Sequence, residues 1–197
     1  MRIVLCDFIS LDGVVQAPGG PKEDTDGGFA HGGWSMQFFD PESMGGFIDE
    51  AMADTDALLF GRRTWQVMAG AWPKQAGDPF ADRMNAIPKY VASRTLSEAD
   101  MTWNNSTLLP AADTIGAVTK LRDSEGGDIQ MMGSASFAQD LIRNDLVDEY
   151  RLMLEPIVLG GGKKLFPEDG VSRPLELVDV RETATGVRIC TYRAAAS

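Results

Sequence analysis

Three short segments carry the side chains with the clearest chemistry. Gly61-Arg62-Arg63-Thr64 places a glycine, two guanidinium groups and a hydroxyl in four positions. A glycine leaving a strand lets backbone approach a ligand, the amides after it open a helix, and two forked donors clamp an anion in a way lysine cannot match. Arginine at a helix start is opposed by the macrodipole, so a bound anion explains the pair better than two solvated side chains do. Ser93-Arg94-Thr95 adds hydroxyls and a third guanidinium, and alone it reads equally as an ordinary turn. Gly133-Ser134-Ala135-Ser136 offers small residues and free amides suited to a pyrophosphate or an amide group. Its plain alternative is a helix capped by Ser134. Gly160-Gly161-Gly162-Lys163-Lys164 fits either a phosphorylated substrate or a tight turn with solvated lysines. No G-x-G-x-x-G run follows a strand, so a Rossmann dinucleotide site is not supported.

The elements that must position these segments alternate. Arg2 to Ile9 reads as a buried strand, although Asp7 interrupts its apolar run. Residues 10–40 form a long Gly-rich stretch, which inside a compact domain is a functional lid or is disordered. Asp40-Pro41, Asp78-Pro79 and Asp113 read as helix starts, and Met44, Phe47, Ile48, Ala51 and Met52 form an apolar stripe at helical spacing. Strands are expected at Asp56–Phe60, Lys89–Ser93, Asp128–Met132, Val147–Leu154 and Ile157–Leu159, with helices from Arg62, Asp78, Asp113 and Ser134. Leu175–Arg181 and Val187–Arg193 flank a Thr-Ala-Thr-Gly turn and read as an antiparallel hairpin. The fold class that follows is α/β: a three-layer αβα arrangement around a mixed, mostly parallel sheet, with one domain over residues 1–197. Each of the three segments follows a strand of the parallel core, where such sheets hold their ligands. Asp145, Asp148 and Glu149 read as a solvated acidic face, and Trp65, Met68 and Trp72 as core or rim.

Composition narrows the classes. The chain has 197 residues, 44% apolar and 24% charged, which suits a globular core. Twenty-nine acidic against 18 basic side chains leave a net charge of −11, which repels phosphate backbones and anionic lipid. Nucleic acid and membrane are therefore not expected partners, and a cytoplasmic location is expected. The single histidine, His31, rules out zinc sites built on two or three histidines, and two distant cysteines, Cys6 and Cys190, rule out thiolate cages. Metal chemistry is not expected; two buried thiols are.

In order along the chain, Ser10-Leu11-Asp12-Gly13, Leu59-Phe60-Gly61-Arg62-Arg63-Thr64-Trp65, Val91-Ala92-Ser93-Arg94-Thr95, Gly133-Ser134 and Pro156-Ile157-Val158-Leu159-Gly160-Gly161-Gly162 with Leu165-Phe166 form a recognisable set. The chain resembles the dihydrofolate reductase-like superfamily, most closely the branch containing the reductase domain of riboflavin biosynthesis. That resemblance implies NADPH as cofactor. Gly61, Arg62, Arg63, Thr64, Ser93 and Arg94 would then hold its adenosine side and 2′-phosphate. Gly133, Ser134 and Ala135 would line the pyrophosphate and nicotinamide end, and Val14 and Val15 would cover the ring. Asp12, Trp34, Gly161, Gly162 and Lys163 would contact the substrate, with His31 beside Trp34 as a cap. The resemblance also implies a homodimer formed through the sheets, for which the strand Tyr150 to Leu154 offers Leu152 and Leu154.

The implied activity is hydride transfer from NADPH to a small polar acceptor, heterocyclic or phosphoribosyl. The specific alternatives are reduction of 5-amino-6-(5-phosphoribosylamino)uracil and reduction of dihydrofolate; a non-catalytic NADPH-binding protein is the alternative of another class. Dihydrofolate reductases carry a carboxylate on the helix before the Gly-Arg-x-Thr strand. Here the corresponding spacing lands on Gly45-Gly46, with Asp49 and Glu50 one turn later on the wet face. The residues force no general acid.

Overall fold

The computed structural model describes residues 1–75 and 77–195. Among the described residues there are eight strands: β1 (Arg2–Ser10), β2 (Thr55–Gly61), β3 (Lys89–Ala92), β4 (Ser106–Leu108), β5 (Asp128–Met132), β6 (Glu149–Glu155), β7 (Leu175–Glu182) and β8 (Arg188–Ala194). They form one mixed sheet in the order β4-β3-β2-β5-β1-β6-β8-β7. All pairs from β4 to β6 are parallel; β8 runs antiparallel to β6, and β7 to β8.

Five α-helices connect them: α1 (Gly46–Ala53), α2 (Arg62–Ala71), α3 (Pro79–Ala86), α4 (Thr114–Arg122) and α5 (Ala135–Arg143). Strand alternation sorts their packing. Ile3, Leu5 and Ile9 of β1 face Ile129 and Met131, under Val118 of α4 and Phe137, Ala138, Leu141 and Ile142 of α5. Cys6 points to the opposite face with Met44 and Phe47, where Leu58 and Phe60 of β2 also meet Trp65 and Met84. The three αβα layers follow from that division, and both cysteines are buried and free.

Helix starts form where aspartate can accept amide protons. Asp40 accepts from Glu42 N and Ser43 N, Asp78 from Ala81 N, and Asp113 from Gly116 N. The turn after Asp40 is a π-turn over Pro41–Gly45 that leads into α1.

Three expectations need correction. Ile157–Leu159 is not a strand. Pro156 has no N–H to continue the ladder, and the backbone after it is captured by the first loop: Leu11 N donates to Ile157 O, and Leu159 N and Gly160 N donate to the Asp12 carboxylate. Glu149 is not on a solvated face. It is 2% exposed at the start of β6 and accepts from Arg2, Arg151 and Arg193, beside Asp128. The strand β6 cannot offer Leu152 to a second copy, because that side chain is 6% exposed and packs in the core under α5. Among the described residues no helix is long and apolar enough to cross a membrane.

Candidate active-site cleft

β1 and β5 are neighbours whose connections leave in opposite directions. The chain after β1 crosses to β2 with α1 on one face; the chain after β5 crosses to β6 with α5 on the other. A crevice opens at such a reversal, at the carboxyl ends of the strands. Here it is a cavity of about 810 Å³ lined by the loops after β1, β2, β3 and β5 and by Lys163.

The sequence motifs meet in this cavity. Gly61 N donates to Ser134 Oγ at 2.8 Å, and Ser134 Oγ donates to Thr64 Oγ1 at 2.7 Å, so the β2–α2 and β5–α5 corners are tied by one hydroxyl. A Cβ at Gly61 would lie 2.9 Å from the Ser134 side chain, which is why glycine stands there. Ser134 does not cap α5. Its backbone is left-handed, φ +63°, and this turns the hydroxyl toward Gly61 instead of toward the helix amides. The first turns of α2 and α5 therefore receive no side-chain cap, and their amides are open to a ligand. Gly133, φ +60°, sits against Thr64 and donates to Asp7 Oδ1 at 2.8 Å.

Arg62 and Arg94 are exposed, and their side chains make no hydrogen bond or ion pair among the described residues. Arg63 differs. Its guanidinium pairs with Asp24 and with Asp26 at 2.7 Å, and Lys163 Nζ reaches the same carboxylates at 2.6 and 2.8 Å. The anion expected at Arg63 is thus supplied by the chain itself. Ser93 Oγ accepts from Thr95 N and Leu96 N, so the Ser93-Arg94 segment is a hydroxyl-closed turn that presents Arg94 outward. Ala135 lines the cavity at the start of α5.

The stretch 10–40 folds back over the sheet as a cover with little regular structure. Trp34 Nε1 donates to Gln16 O; Gln16 Nε2 donates to Asp24 O and Asp26 O, and its Oε1 accepts from Lys163 N. Ser35 Oγ donates to Glu155 Oε1, a wholly buried carboxyl that burial pushes up to about 7.

Several site expectations change as a result. Trp34 is 4% exposed, outside the cavity lining, and pins the cover. Asp12 is also outside the lining; amides of Leu159 and Gly160 and the Ser10 hydroxyl hold its carboxylate down at about 2, so it anchors the Gly160–Gly162 loop. Val15 lines the cavity, whereas Val14 bridges to Lys164 and packs against Gly162. Gly161, Gly162 and His31 line a separate hollow of about 470 Å³, which shares Gln16, Asp26 and Lys163 with the larger cavity.

The sequence motifs missed Asp7, Glu23, Asp24, Asp26 and Gln130, all in the lining. Asp7 is 4% exposed, and burial pushes its carboxyl up to about 8, opposed by the Gly133 amide and reinforced by the charge of Glu23. Among the described residues its Oδ2 has no partner, nor has Gln130 Nε2. The available signal for Asp7 was a lone carboxylate in an otherwise buried strand. From α1 the lining receives Ile48 and no acid; Asp49 and Glu50 are exposed.

Comparison with known proteins agrees with this architecture. Residues 2–189 match the RibD C-terminal domain. An uncharacterized protein of Bacillus subtilis, YyaP, is 31% identical over 97% of this chain and 94% of its own. A putative riboflavin biosynthesis protein from a Shewanella species superposes over the whole of both chains with TM-score 0.70 at 20% identity. Dihydrofolate reductase from Enterococcus faecalis, solved with NADP(H), superposes over 99% of this chain and 97% of its own with TM-score 0.62 at 13% identity.

Proposed function

Because the chain belongs to the RibD C-terminal domain family, we propose that it is an NADPH-dependent oxidoreductase that reduces a small polar acceptor, heterocyclic or phosphoribosyl. The observation that carries this reading is the cleft at the β1/β5 reversal, where two uncapped helix starts and two unpaired guanidinium groups converge on one cavity. The residues fit a dinucleotide. Gly61 and Gly133 keep the two corners in contact with no side chain in the way, and the amides of α2 and α5 suit a pyrophosphate. Arg62 and Arg94 suit the 2′-phosphate, and Val15 would lie over the ring. When bound, a reduced nicotinamide supplies hydride; the protein supplies orientation and a closed, water-poor site.

The riboflavin-type acceptor is favoured over a pterin, because α1 sends Ile48 and no acid into the lining. The relative with NADP(H) bound supports the cofactor by analogy of fold. A homodimer is also part of the reading, and the half-exposed Leu177, Val178 and Val180 of the edge strand β7 are better placed for it than β6.

Thermal-shift titration with NADPH and NADH at matched concentrations tests the assignment. Charge-assisted hydrogen bonds to a 2′-phosphate are worth about 1.5–3 kcal/mol each, so NADPH should stabilise far more, and Arg62→Ala or Arg94→Ala should erase most of the difference. Equal stabilisation by the two cofactors would sink it.

A further inference from the structure

Six carboxylates line the cleft, and five are already committed. Asp24 and Asp26 pair with Arg63 and Lys163, and Glu23 accepts from Gly19 N and Gly20 N. Asp113 caps α4, and Asp140 is exposed and paired with Arg143. Of the six, Asp7 alone is both buried and half unsatisfied: Gly133 N fixes Oδ1, and Oδ2 has no partner among the described residues. A buried, unpaired carboxylate oxygen is costly to leave in a fold, and the state that removes the cost is the protonated one, an O–H donor at the sheet edge.

Its position is equally specific. The last parallel pair of β1 with β5 is Cys6 with Met132, so Asp7 is the first residue of β1 beyond the point where β5 turns away. It therefore sits at the floor of the reversal, against the corner where Gly133 approaches Thr64. The charged groups around it are Glu23 of the cover and, on the cavity wall, the Arg63–Lys163–Asp24–Asp26 cluster; its own neighbour Cys6 is a thiol that burial pushes up to about 12. None of these gives Oδ2 a hydrogen bond.

We propose that Asp7 is the proton donor of the cleft, passing the proton of Oδ2 to the heteroatom of a small C=N or C=O acceptor as the acceptor's carbon takes up hydride. This rests on the oxidoreductase reading above. The hydride forms the new C–H bond, and the π pair moves to nitrogen or oxygen. The Asp7 O–H bond breaks as the N–H or O–H bond forms, and the carboxylate regains a proton from solvent. The structure thereby takes the acid from β1 where α1 lacks one. The acceptor class is one whose reduced heteroatom is basic enough to draw a proton from a carboxylic acid, such as a cyclic imine or an enaminone ring.

Two measurements separate this from the reading beneath it. In ligand-free protein labelled with ¹³C-aspartate, one carboxyl resonance absent from Asp7→Asn should titrate near 8; titration near the ordinary 3.8 overturns the donor role, since an ionised carboxylate has no proton to give. NADPH, followed by fluorescence, should bind wild type and Asp7→Asn with dissociation constants within about twofold. With NADPH and a panel of cyclic imines and ketones, kcat should fall by about 10²–10⁴-fold in Asp7→Asn, with part of the rate restored in Asp7→Glu. The wild-type kcat should decline above pH about 8. An unchanged kcat in Asp7→Asn overturns the proposal and leaves the cofactor reading intact. Failure of the wild type to bind NADPH overturns the reading itself, and shows in the titration without any variant.

Discussion

Replacing Glu155 with glutamine isolates the contribution of one buried acid to the pH dependence of folding. The side chain is wholly buried at the end of β6, Oε2 has no partner, and Oε1 accepts from Ser35 of the cover. Burial pushes the group from 4.5 up to about 7, so the folded state holds its proton more tightly than the unfolded chain does. The stabilising protonated form is fully present below pH 4.5 and is lost as pH rises to about 7. At about 1.4 kcal/mol per unit the full loss is at most about 3.5 kcal/mol, and relaxation of the interior around the charge brings it down. Glutamine keeps the shape and removes the titration, while its buried amide protons cost about 1 kcal/mol if unpaired. Urea unfolding at pH 4.5, 6 and 8 should therefore find the variant about 1 kcal/mol less stable than wild type at the acid end and about 2 kcal/mol more stable at the alkaline end. Asp7 titrates in both proteins, so its slope cancels in the difference. A difference that stays constant across the three pH values would refute the assignment of a neutral Glu155.

Gly133→Ala forces alanine into φ +60° and puts a Cβ 3.1 Å from Thr64 Oγ1, so unfolding free energy should drop by about 1–3 kcal/mol; unchanged stability would show that the corner is not tightly set. Asp24→Asn combined with Asp26→Asn frees Arg63 and Lys163, and NADPH should bind at least about tenfold tighter, with a steeper salt dependence; weaker binding would mean that the carboxylates help the ligand. Light scattering at micromolar concentration should give the mass of two chains, and Val178→Lys with Val180→Lys should return it to one, whereas a wild-type monomer ends the dimer reading.

What the sequence disclosed depended on the range of the interaction. The strand and helix order was readable because it rests on local periodicity, and Asp40, Asp78 and Asp113 marked helix starts through bonds to amides two or three residues away. β4 escaped notice because three residues at a sheet edge, Ser106–Leu108, carry no period of their own. Ser134 misled because the same residue that suits a cap also suits a bond to Gly61, and its left-handed backbone chose the second. Glu149 and Asp12 read as solvated or ligand-facing because, beside near neighbours in Arg151 and Ser10, each is held by a group well over a hundred residues away, Arg2 for the first and the Leu159 amide for the second. In the site, Gly61, Thr64, Gly133 and Ser134 were legible as helix-start glycines and hydroxyls. Three of the acids that share their cavity, Glu23, Asp24 and Asp26, come from the cover, and nothing local ties Asp24 to Arg63 or Lys163.

That four-residue cluster constrains how the family can vary. Asp24 and Asp26 balance Arg63 and Lys163 with no charge left over, across three segments far apart in the chain. Loss of any single member leaves one unbalanced charge in the cavity lining, so a change at one of the four positions is expected to be matched at another. Among relatives, a neutral residue at position 163 should travel with a neutral residue at 24 or 26. A chain that keeps all four carries an internal counter-ion, so an anionic ligand that reaches Arg63 or Lys163 must first displace two carboxylates already paired there.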